Sequence, residues 1–394
     1  MAISSVLVID PLLLTPSSGK NLIHIKMENL LVYRLGSLGD TIIALPSLHR
    51  IRSSFPDDQL VMLTNKPISG KAAPLQSILG TGYFTHQTLC YPVGTRNPWD
   101  LISLLFSIRR LRIKTMVYLV AARSPKDVWR DRVFFRLCGV SKIIALPQEE
   151  SDFKALIQPE TGLYENESSR LARRVRDLGA VDLEDRAAWD LHLEESERAV
   201  AEEVIKPLKG RPFLAVSQGT KMQSKDWGVD NWSDLLQQLT EALPGWGLLL
   251  VGSSDEADRA SCCAAVWRGP IVNLCGNATP RISAAAMERA AFFLGHDSGP
   301  MHLASAVGVP CVAIFSARNL PGQWYPYGRD HKVIYHKTSC HGCNLSECYI
   351  ENKRCIFGIT TDEVMGKVME LLGMIPLSKG QLKNGTRDSE AVRT

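Results

Sequence analysis

Short polar segments follow four apolar runs of this chain, and their residue types suit phosphate binding and proton transfer. In one of them, Asp297, Ser298 and Gly299 follow the apolar run that ends at Leu294. Pro300 comes next, at what we expect to be the first turn of a helix capped by Ser298 or Asp297. Free amides and the positive end of the helix dipole then favour a phosphate beyond the strand end. An ordinary capped helix explains this segment equally well.

A second segment of this kind lies near the N-terminus, where Gly36 and Gly39 precede Asp40 at the start of a predicted helix. A carboxylate at the carboxyl end of a strand can accept a proton from a substrate hydroxyl. Capping the helix is the commoner role for an aspartate that follows a glycine. The two glycines are three residues apart with no third glycine in place, so the spacing disfavours NAD binding.

The other two segments offer a cation and a carboxylate. After the apolar run that ends at Val216, Thr220 supplies a hydroxyl and Lys225 a positive charge, which suit a diphosphate held without a P-loop. The alternative for Lys225 is a solvated loop lysine. After the apolar run that ends at Val251, Asp255 or Glu256 can hold ribose hydroxyls, although helix capping explains these residues equally well.

Strand-like and helix-like segments alternate along most of the chain, which predicts a doubly wound α/β fold with two parallel-sheet units. The predicted strands are Leu30–Arg34, Leu60–Thr64, Thr115–Leu119, Pro212–Val216, Gly247–Val251, Ile271–Asn273, Ala291–Leu294 and Cys311–Phe315. We expect an N-terminal domain over residues 28–190 and a C-terminal domain over residues 191–375, joined through a charged, strand-poor stretch. Residues 1–27 form a predicted leader and residues 376–394 a predicted flexible tail.

Composition excludes several classes of protein. The 394 residues, 45% hydrophobic and 22% charged, are typical of a globular chain with two domains. A net charge of +4 is too small to indicate nucleic acid as a partner. Asp10 and Pro11 interrupt the apolar stretch near the N-terminus, so we expect no export signal and a cytoplasmic protein.

Positive charge is concentrated in the first half of the chain. Three clusters carry it: Arg109, Arg110, Arg112 and Lys114; Arg123, Lys126, Arg130, Arg132 and Arg136; and Arg170, Arg173, Arg174 and Arg176. An anionic partner is one explanation, and solvated helix faces are the simpler one for any single cluster. The apolar segment that leads from Trp99 to Arg110 could dock on a membrane, but a core helix with a basic C-terminus is favoured.

Taken together, the four segments resemble glycosyltransferase family 9, the lipopolysaccharide heptosyltransferases and their relatives, over about residues 28–375. The motifs that carry the resemblance are Arg34 to Asp40 with Pro46, Gly219-Thr220 with Lys225-Asp226-Trp227, Gly252 to Glu256, and Asp297 to Ala304. The resemblance implies a GT-B architecture, in which two Rossmann-like domains face each other across a cleft. It also implies an inverting transfer without a metal, with the acceptor on the N-terminal side and the nucleotide sugar on the C-terminal side.

Site residues follow from the resemblance, position by position. Asp40 corresponds to the general base. The implied donor-binding residues are Thr220 and Lys225 for the diphosphate, Glu256 or Asp255 for the ribose, and Asp297, Ser298, Gly299 and His302 for the sugar and phosphate. The implied acceptor-side residues are Arg34, Gly39 and Arg123.

The resemblance also implies the substrates. It favours heptose from ADP-heptose as the donor group and an anionic glycolipid, a lipopolysaccharide core or a related glycan, as the acceptor, with peripheral contact at the inner membrane. One alternative is another nucleotide sugar or acceptor. Another is a nucleotide-sugar-binding or assembly protein without turnover, which the joint presence of Asp40, Lys225 and Asp297 disfavours.

Four of the ten cysteines form a separate motif. Cys340, Cys343, Cys348 and Cys355 have the spacing C-x2-C-x4-C-x6-C. This spacing could hold a structural zinc ion, form reversible disulfides or belong to a compact loop of reduced thiols, and zinc is the less favoured interpretation. The chemistry that the other motifs predict does not need this segment.

Overall fold

The computed structural model describes residues 28–374 apart from residues 67–72, 93, 96 and 122. The predicted leader and tail lie outside these described residues. The strands are β1 (Asn29–Tyr33), β2 (Gln59–Asn65), β3 (Gln87–Tyr91), β4 (Thr115–Tyr118), β5 (Lys142–Ile144), β6 (Phe213–Ser217), β7 (Gly247–Leu250), β8 (Ile271–Asn273), β9 (Phe292–His296), β10 (Cys311–Phe315) and β11 (Lys332–Tyr335).

Helices connect almost all of these strands. They are α1 (Leu38–Ile42), α2 (Leu45–Ser54), α3 (Leu75–Leu79), α4 (Pro98–Arg110), α5 (Pro125–Leu137), α6 (Glu167–Arg174), α7 (Glu195–Ile205), α8 (Val229–Ala242), α9 (Ala257–Ala264), α10 (Pro280–Met287), α11 (Gly299–Ala306), α12 (Arg354–Phe357) and α13 (Thr361–Met374). None of the helices in the described ranges is long and apolar enough to cross a membrane.

Two parallel sheets organise the chain, as the sequence predicts. The first has the strand order β3-β2-β1-β4-β5, and the second has the order β11-β10-β9-β6-β7-β8. Tyr33 at the end of β1 pairs with Leu63 of β2 and Tyr118 of β4. Because neighbouring strands run parallel and end together, the residues that follow them collect at one edge of each sheet.

All eight predicted strands are present, with bounds that shift by at most two residues. The prediction omitted β3, β5 and β11, which lie at sheet edges. Their residues are mostly half-buried or exposed, so they lack the continuous apolar run that marks a strand covered on both faces. Along the chain, β5 is the last strand of the first sheet and β6 is the first strand of the second. The predicted domain boundary at residue 190 lies between these two strands and stays a prediction.

Helices cover both faces of the N-terminal sheet. On one face, Leu104 and Ile108 of α4 and Phe135 of α5 form a core with strand residues that include Leu31 of β1 and Met116 of β4. The opposite face belongs to a larger core that includes residues of α2 and α6 and continues into the C-terminal sheet. The two domains are therefore joined by packed apolar side chains.

Candidate active site

The carboxyl ends of the two sheets face each other through α1 and α11. A Cβ atom added to Gly39 of α1 would lie 2.9 Å from Cδ2 of His302. One added to Gly299 of α11 would lie 2.9 Å from the side chain of Leu38. Only glycine permits this close approach. The segments that contain Asp40 and Ser298 therefore lie on facing walls of one site, although they are far apart in the sequence.

Asp40 caps the short helix in which it lies. Its Oδ2 accepts hydrogen bonds from the backbone nitrogen of Ser37, at 2.7 Å, and from the Ser37 hydroxyl, at 2.9 Å. Gly36 has φ of +138°, and a Cβ atom there would overlap Asp40, so the turn before Asp40 requires glycine. Within the described part of the chain, Oδ1 of Asp40 has no hydrogen-bond partner. Capping therefore occupies one oxygen and leaves the other for a substrate.

Arg34 follows β1, and its role on the acceptor side stays a prediction. Its side chain is buried, and its guanidinium donates to the backbone oxygens of Asp40 and Leu119, the latter at 3.1 Å. Arg34 thus joins the ends of β1 and β4 to the helix that carries Asp40. Arg123 is partly exposed and pairs with Asp131, with 2.8 Å between Nη1 and Oδ2. Its role on the acceptor side stays a prediction.

The C-terminal wall centres on an ion pair between Lys225 and Asp297. Nζ of Lys225 lies 2.6 Å from Oδ2 of Asp297 and 3.1 Å from its backbone oxygen. Nδ2 of Asn319 donates to the same Oδ2 at 2.7 Å. These residues follow β6, β9 and β10, which are neighbours in the sheet. Parallel strand order therefore brings together two predicted donor-binding residues and Asn319, which the sequence analysis did not identify.

The cysteine segment supports the loop that contains Lys225. The Ser224 hydroxyl donates to the backbone oxygen of Leu345 at 2.6 Å. The Ser224 backbone nitrogen donates to the backbone oxygen of Ser346 at 3.1 Å. The backbone nitrogen of Cys348 donates to Gln223 at 3.0 Å, and Nζ of Lys353 donates to the backbone oxygen of Asp226 at 2.7 Å. The segment therefore has a positioning role at the site, which the sequence spacing did not predict.

The four thiols of this segment are unpaired and partly buried. Although burial alone raises the pKa of the Cys348 thiol, backbone N–H groups of Glu351, Lys353 and Ile350 bring it below its ordinary value. Across the described ranges, no three His, Cys, Asp or Glu side chains are placed to hold a metal ion. The zinc interpretation of the cysteine spacing stays a prediction.

Glu256 and Asp255 occupy different positions. The Glu256 carboxylate lies over the backbone of Gly219. A Cβ atom added to Gly219 would fall 1.9 Å from Cδ of Glu256. Its Oε2 accepts a hydrogen bond from the backbone nitrogen of Ser253 at 2.8 Å. Asp255 is exposed and accepts from the Ser253 hydroxyl at 2.7 Å. Of the two carboxylates, Glu256 is the one next to the carboxyl ends of β6 and β7.

Several buried polar atoms near the strand ends have no partner among the residues that the structure describes. They include the Ser217, Ser298 and Ser316 hydroxyls, both ends of the Gln218 side-chain amide and Nδ1 of His296. A buried polar group without a hydrogen bond is costly, so such groups commonly have a ligand. Ser298 is the N-cap residue of α11, but its side chain makes no capping bond. Thr220 is partly buried, and its hydroxyl accepts from the backbone nitrogen of Met222 at 3.3 Å.

Two buried histidines at this edge are neutral at pH 7. Burial lowers the pKa of His302 to about 4, and it lowers that of His296 likewise to about 4. Nε2 of His296 accepts a hydrogen bond from the backbone nitrogen of Trp227 at 3.2 Å. His302 therefore faces the site as a neutral side chain, whereas Lys225 carries a positive charge there.

Two parallel-sheet domains that face each other through the carboxyl ends of their strands define the GT-B class, as the resemblance implies. Residues 165–354 match the family model described as glycosyltransferase family 9 (heptosyltransferase). The match covers 190 of the 394 residues, and the resemblance seen in the motifs is confirmed.

Known proteins similar to this chain agree with that assignment. Lipopolysaccharide heptosyltransferase 1 of Pseudomonas aeruginosa is 31% identical over 144 residues, which cover 35% of this chain and 38% of that relative. A family 9 glycosyltransferase structure from Veillonella parvula covers 90% of this chain and 100% of its own, with 17% identity and a TM-score of 0.67. The structure of an E. coli heptosyltransferase with ADP-2-deoxy-2-fluoro heptose covers 87% of this chain and 99% of its own, with 15% identity and a TM-score of 0.56.

Proposed function

We propose that this protein transfers heptose from ADP-heptose to a lipopolysaccharide core or a related glycan, with inversion at the sugar and without a metal. The observation that carries the proposal is the position of the Lys225–Asp297 pair on one wall and of Asp40 on the other. The similarity to a heptosyltransferase that holds an ADP-heptose analogue supports the choice of donor.

The C-terminal wall suits a diphosphate leaving group. Such a group gains negative charge as the glycosidic bond breaks, so an enzyme without a metal must supply cations and amides directed at it. Lys225 supplies the cation, and the N-terminus of α11 with the Ser298 hydroxyl supplies N–H and O–H donors. Glu256 faces the ribose, whose hydroxyls donate to a carboxylate. Asp297 holds Lys225 in place, Asn319 holds Asp297, and we expect Asp297 to contact the sugar.

The N-terminal wall suits the acceptor. Oδ1 of Asp40 accepts the proton of the attacking hydroxyl while Oδ2 stays bonded to Ser37. Attack from the wall opposite the leaving group gives inversion. Arg123 and the basic clusters of this domain attract an anionic glycolipid, and we place the protein at the cytoplasmic face of the inner membrane.

A donor panel tests the proposal. The protein is incubated with lipid core extracts and, in turn, ADP-heptose, ADP-glucose, UDP-glucose and GDP-mannose, and the products are analysed by mass spectrometry. We expect an added heptosyl unit with ADP-heptose alone. Transfer from another nucleotide sugar would reassign the donor within the same family. ADP binding without transfer from any donor would indicate a binding protein and contradict the proposal.

A further inference from the structure

Helices α4 and α5 expose large apolar side chains to solvent. In α4 these are Trp99, 72% exposed, and Phe106, 63% exposed, with Ile102 between them. In α5 they are Trp129, 66% exposed, and Leu137, 57% exposed, with Val133 between them. The spacings of three to four residues place each set on one side of its helix. We call these six side chains together the α4–α5 face.

The two helices that carry the α4–α5 face are neighbours on the N-terminal sheet. The inner sides of both helices pack on the same face of the N-terminal sheet, through Leu104, Ile108 and Phe135. Nε of Arg109, in the last turn of α4, donates to the backbone oxygen of Leu137, in the last turn of α5, at 3.1 Å. The two helices therefore lie side by side and end together. The sequence favoured a core helix for α4, and the structure shows that only its inner side is core.

Positive charge surrounds this face. Residues 98–142 contain ten lysines and arginines and three aspartates, a net charge of +7, whereas the whole chain carries +4. The aspartates bond to neighbouring residues: Asp131 to Arg123 and Tyr118, Asp127 to Arg130, and Asp100 to Thr95. The side chains of Arg110, Lys126 and Arg132 are exposed.

We propose that the α4–α5 face docks on the surface of a bilayer that contains anionic lipids. Tryptophan and phenylalanine favour the boundary between headgroups and acyl chains, and arginine and lysine bind the headgroups. A second copy of this chain fits less well, because residues 98–142, which carry the face, have a net charge of +7 and two such segments would repel each other. The proposal rests on the proposed function for its purpose, which is access to a lipid-linked acceptor.

The α4–α5 face begins near the edge of the sheet that carries the candidate active site. Helices α4 and α5 follow β3 and β4 along the chain and so begin at the carboxyl edge of the sheet. Trp99 and Trp129 lie in the first two turns of their helices, near the edge that also carries Asp40. Docking therefore brings the acceptor side of the protein close to the bilayer.

Vesicle flotation of the full chain, without any nucleotide sugar, tests the proposal. The vesicles contain phosphatidylcholine alone or with about one third phosphatidylglycerol. We expect the parent protein to bind only the anionic vesicles and to be released by salt. The double variant Arg110→Gln/Arg132→Gln should bind about 25-fold more weakly, because each basic residue near an anionic surface contributes about fivefold.

A second double variant, Trp99→Ser/Trp129→Ser, tests the apolar contribution. We expect it to bind about tenfold more weakly for each tryptophan replaced, since aromatic burial is lost. The matched control is Val200→Ser/Met369→Ser, which removes side chains that are 46% and 49% exposed on the other domain and should bind like the parent. ADP affinity, measured separately on each variant, should stay at the parent value.

Three outcomes would overturn the proposal. The first is failure of the parent to bind anionic vesicles, and the second is equal binding by the parent and both face variants. The third is a parent that sediments as a dimer and binds no vesicles, while the tryptophan variant sediments as a monomer. Failure of the donor panel with normal vesicle binding would contradict the proposed function and leave the docking surface intact.

Discussion

Nζ of Lys225 lies 2.6 Å from Oδ2 of Asp297, and this contact joins the loop after β6 to the end of β9. The residues are 72 positions apart in the sequence, and both side chains are almost buried. The pair fixes a cation next to the N-terminus of α11, so two sources of positive potential converge at one edge of the C-terminal sheet. Removing either charge leaves the other buried without its partner, which affects both stability and ligand binding.

Replacement of Lys225 by alanine should weaken ADP binding. One charge-assisted bond to phosphate is lost, which is about 1.5–3 kcal/mol, or about 10- to 100-fold in affinity. Isothermal titration calorimetry measures the change. Lys221→Ala is the matched control, because Lys221 is exposed in the same loop and should have no effect.

The unpaired Asp297 carboxylate could destabilise that variant, so the double variant Lys225→Ala/Asp297→Asn completes the test. It should recover thermal stability, since no buried charge is left alone, and should still bind ADP weakly. ADP affinity at the parent value in either Lys225 variant would remove this lysine from the diphosphate site.

Glu256, not Asp255, should determine affinity for the nucleoside part of the donor. Glu256→Gln keeps the side-chain oxygen that accepts from Ser253 and removes the negative charge, so ADP binding should weaken about fivefold. Affinity for inorganic pyrophosphate should stay constant, because pyrophosphate has no ribose. Asp255→Asn, the control, should bind both ligands like the parent. A larger effect of the Asp255 substitution would reverse the assignment.

Stability should fall as the pH drops from about 6.5 to about 4, partly because of His302. An unfolded histidine has a pKa of about 6.5, whereas burial lowers that of His302 to about 4. In this window the unfolded chain binds a proton that the folded chain does not, so the free energy of unfolding decreases by up to about 3 kcal/mol. His302→Gln should show a shallower decrease in urea unfolding between pH 7.5 and 4.5. An unchanged pH dependence would mean that His302 is charged in the folded protein.

How far the sequence determines the fold depends on the kind of element. Buried strands such as β6 and β9 are apolar throughout, so periodicity identifies them and the segments that follow. Edge strands such as β3 are half-buried or exposed and depend on a neighbouring strand for their pairing, which local sequence does not show.

The same distinction applies to the site. Lys225, Asp297 and Glu256 lie next to predicted strand ends, so their positions follow from the topology. Asn319 and the support of Lys225 by the cysteine segment depend on contacts between distant loops. The position of the buried Arg34 guanidinium depends in the same way on a distant segment, because it donates to the backbone oxygen of Leu119, 85 positions away.

Sugar transfer by the Asp40→Asn variant tests the central claim most directly. Asparagine caps a helix about as well as aspartate, so the bonds from Ser37 persist while the basic oxygen is lost. Rates of heptose transfer from ADP-heptose are measured for the variant and the parent at saturating donor, with ADP affinity and thermal stability as controls. We expect the rate to fall about 10²- to 10⁴-fold, the usual contribution of a general base, with both controls unchanged. Transfer at the parent rate would contradict the account, because Asp40 would then only cap its helix.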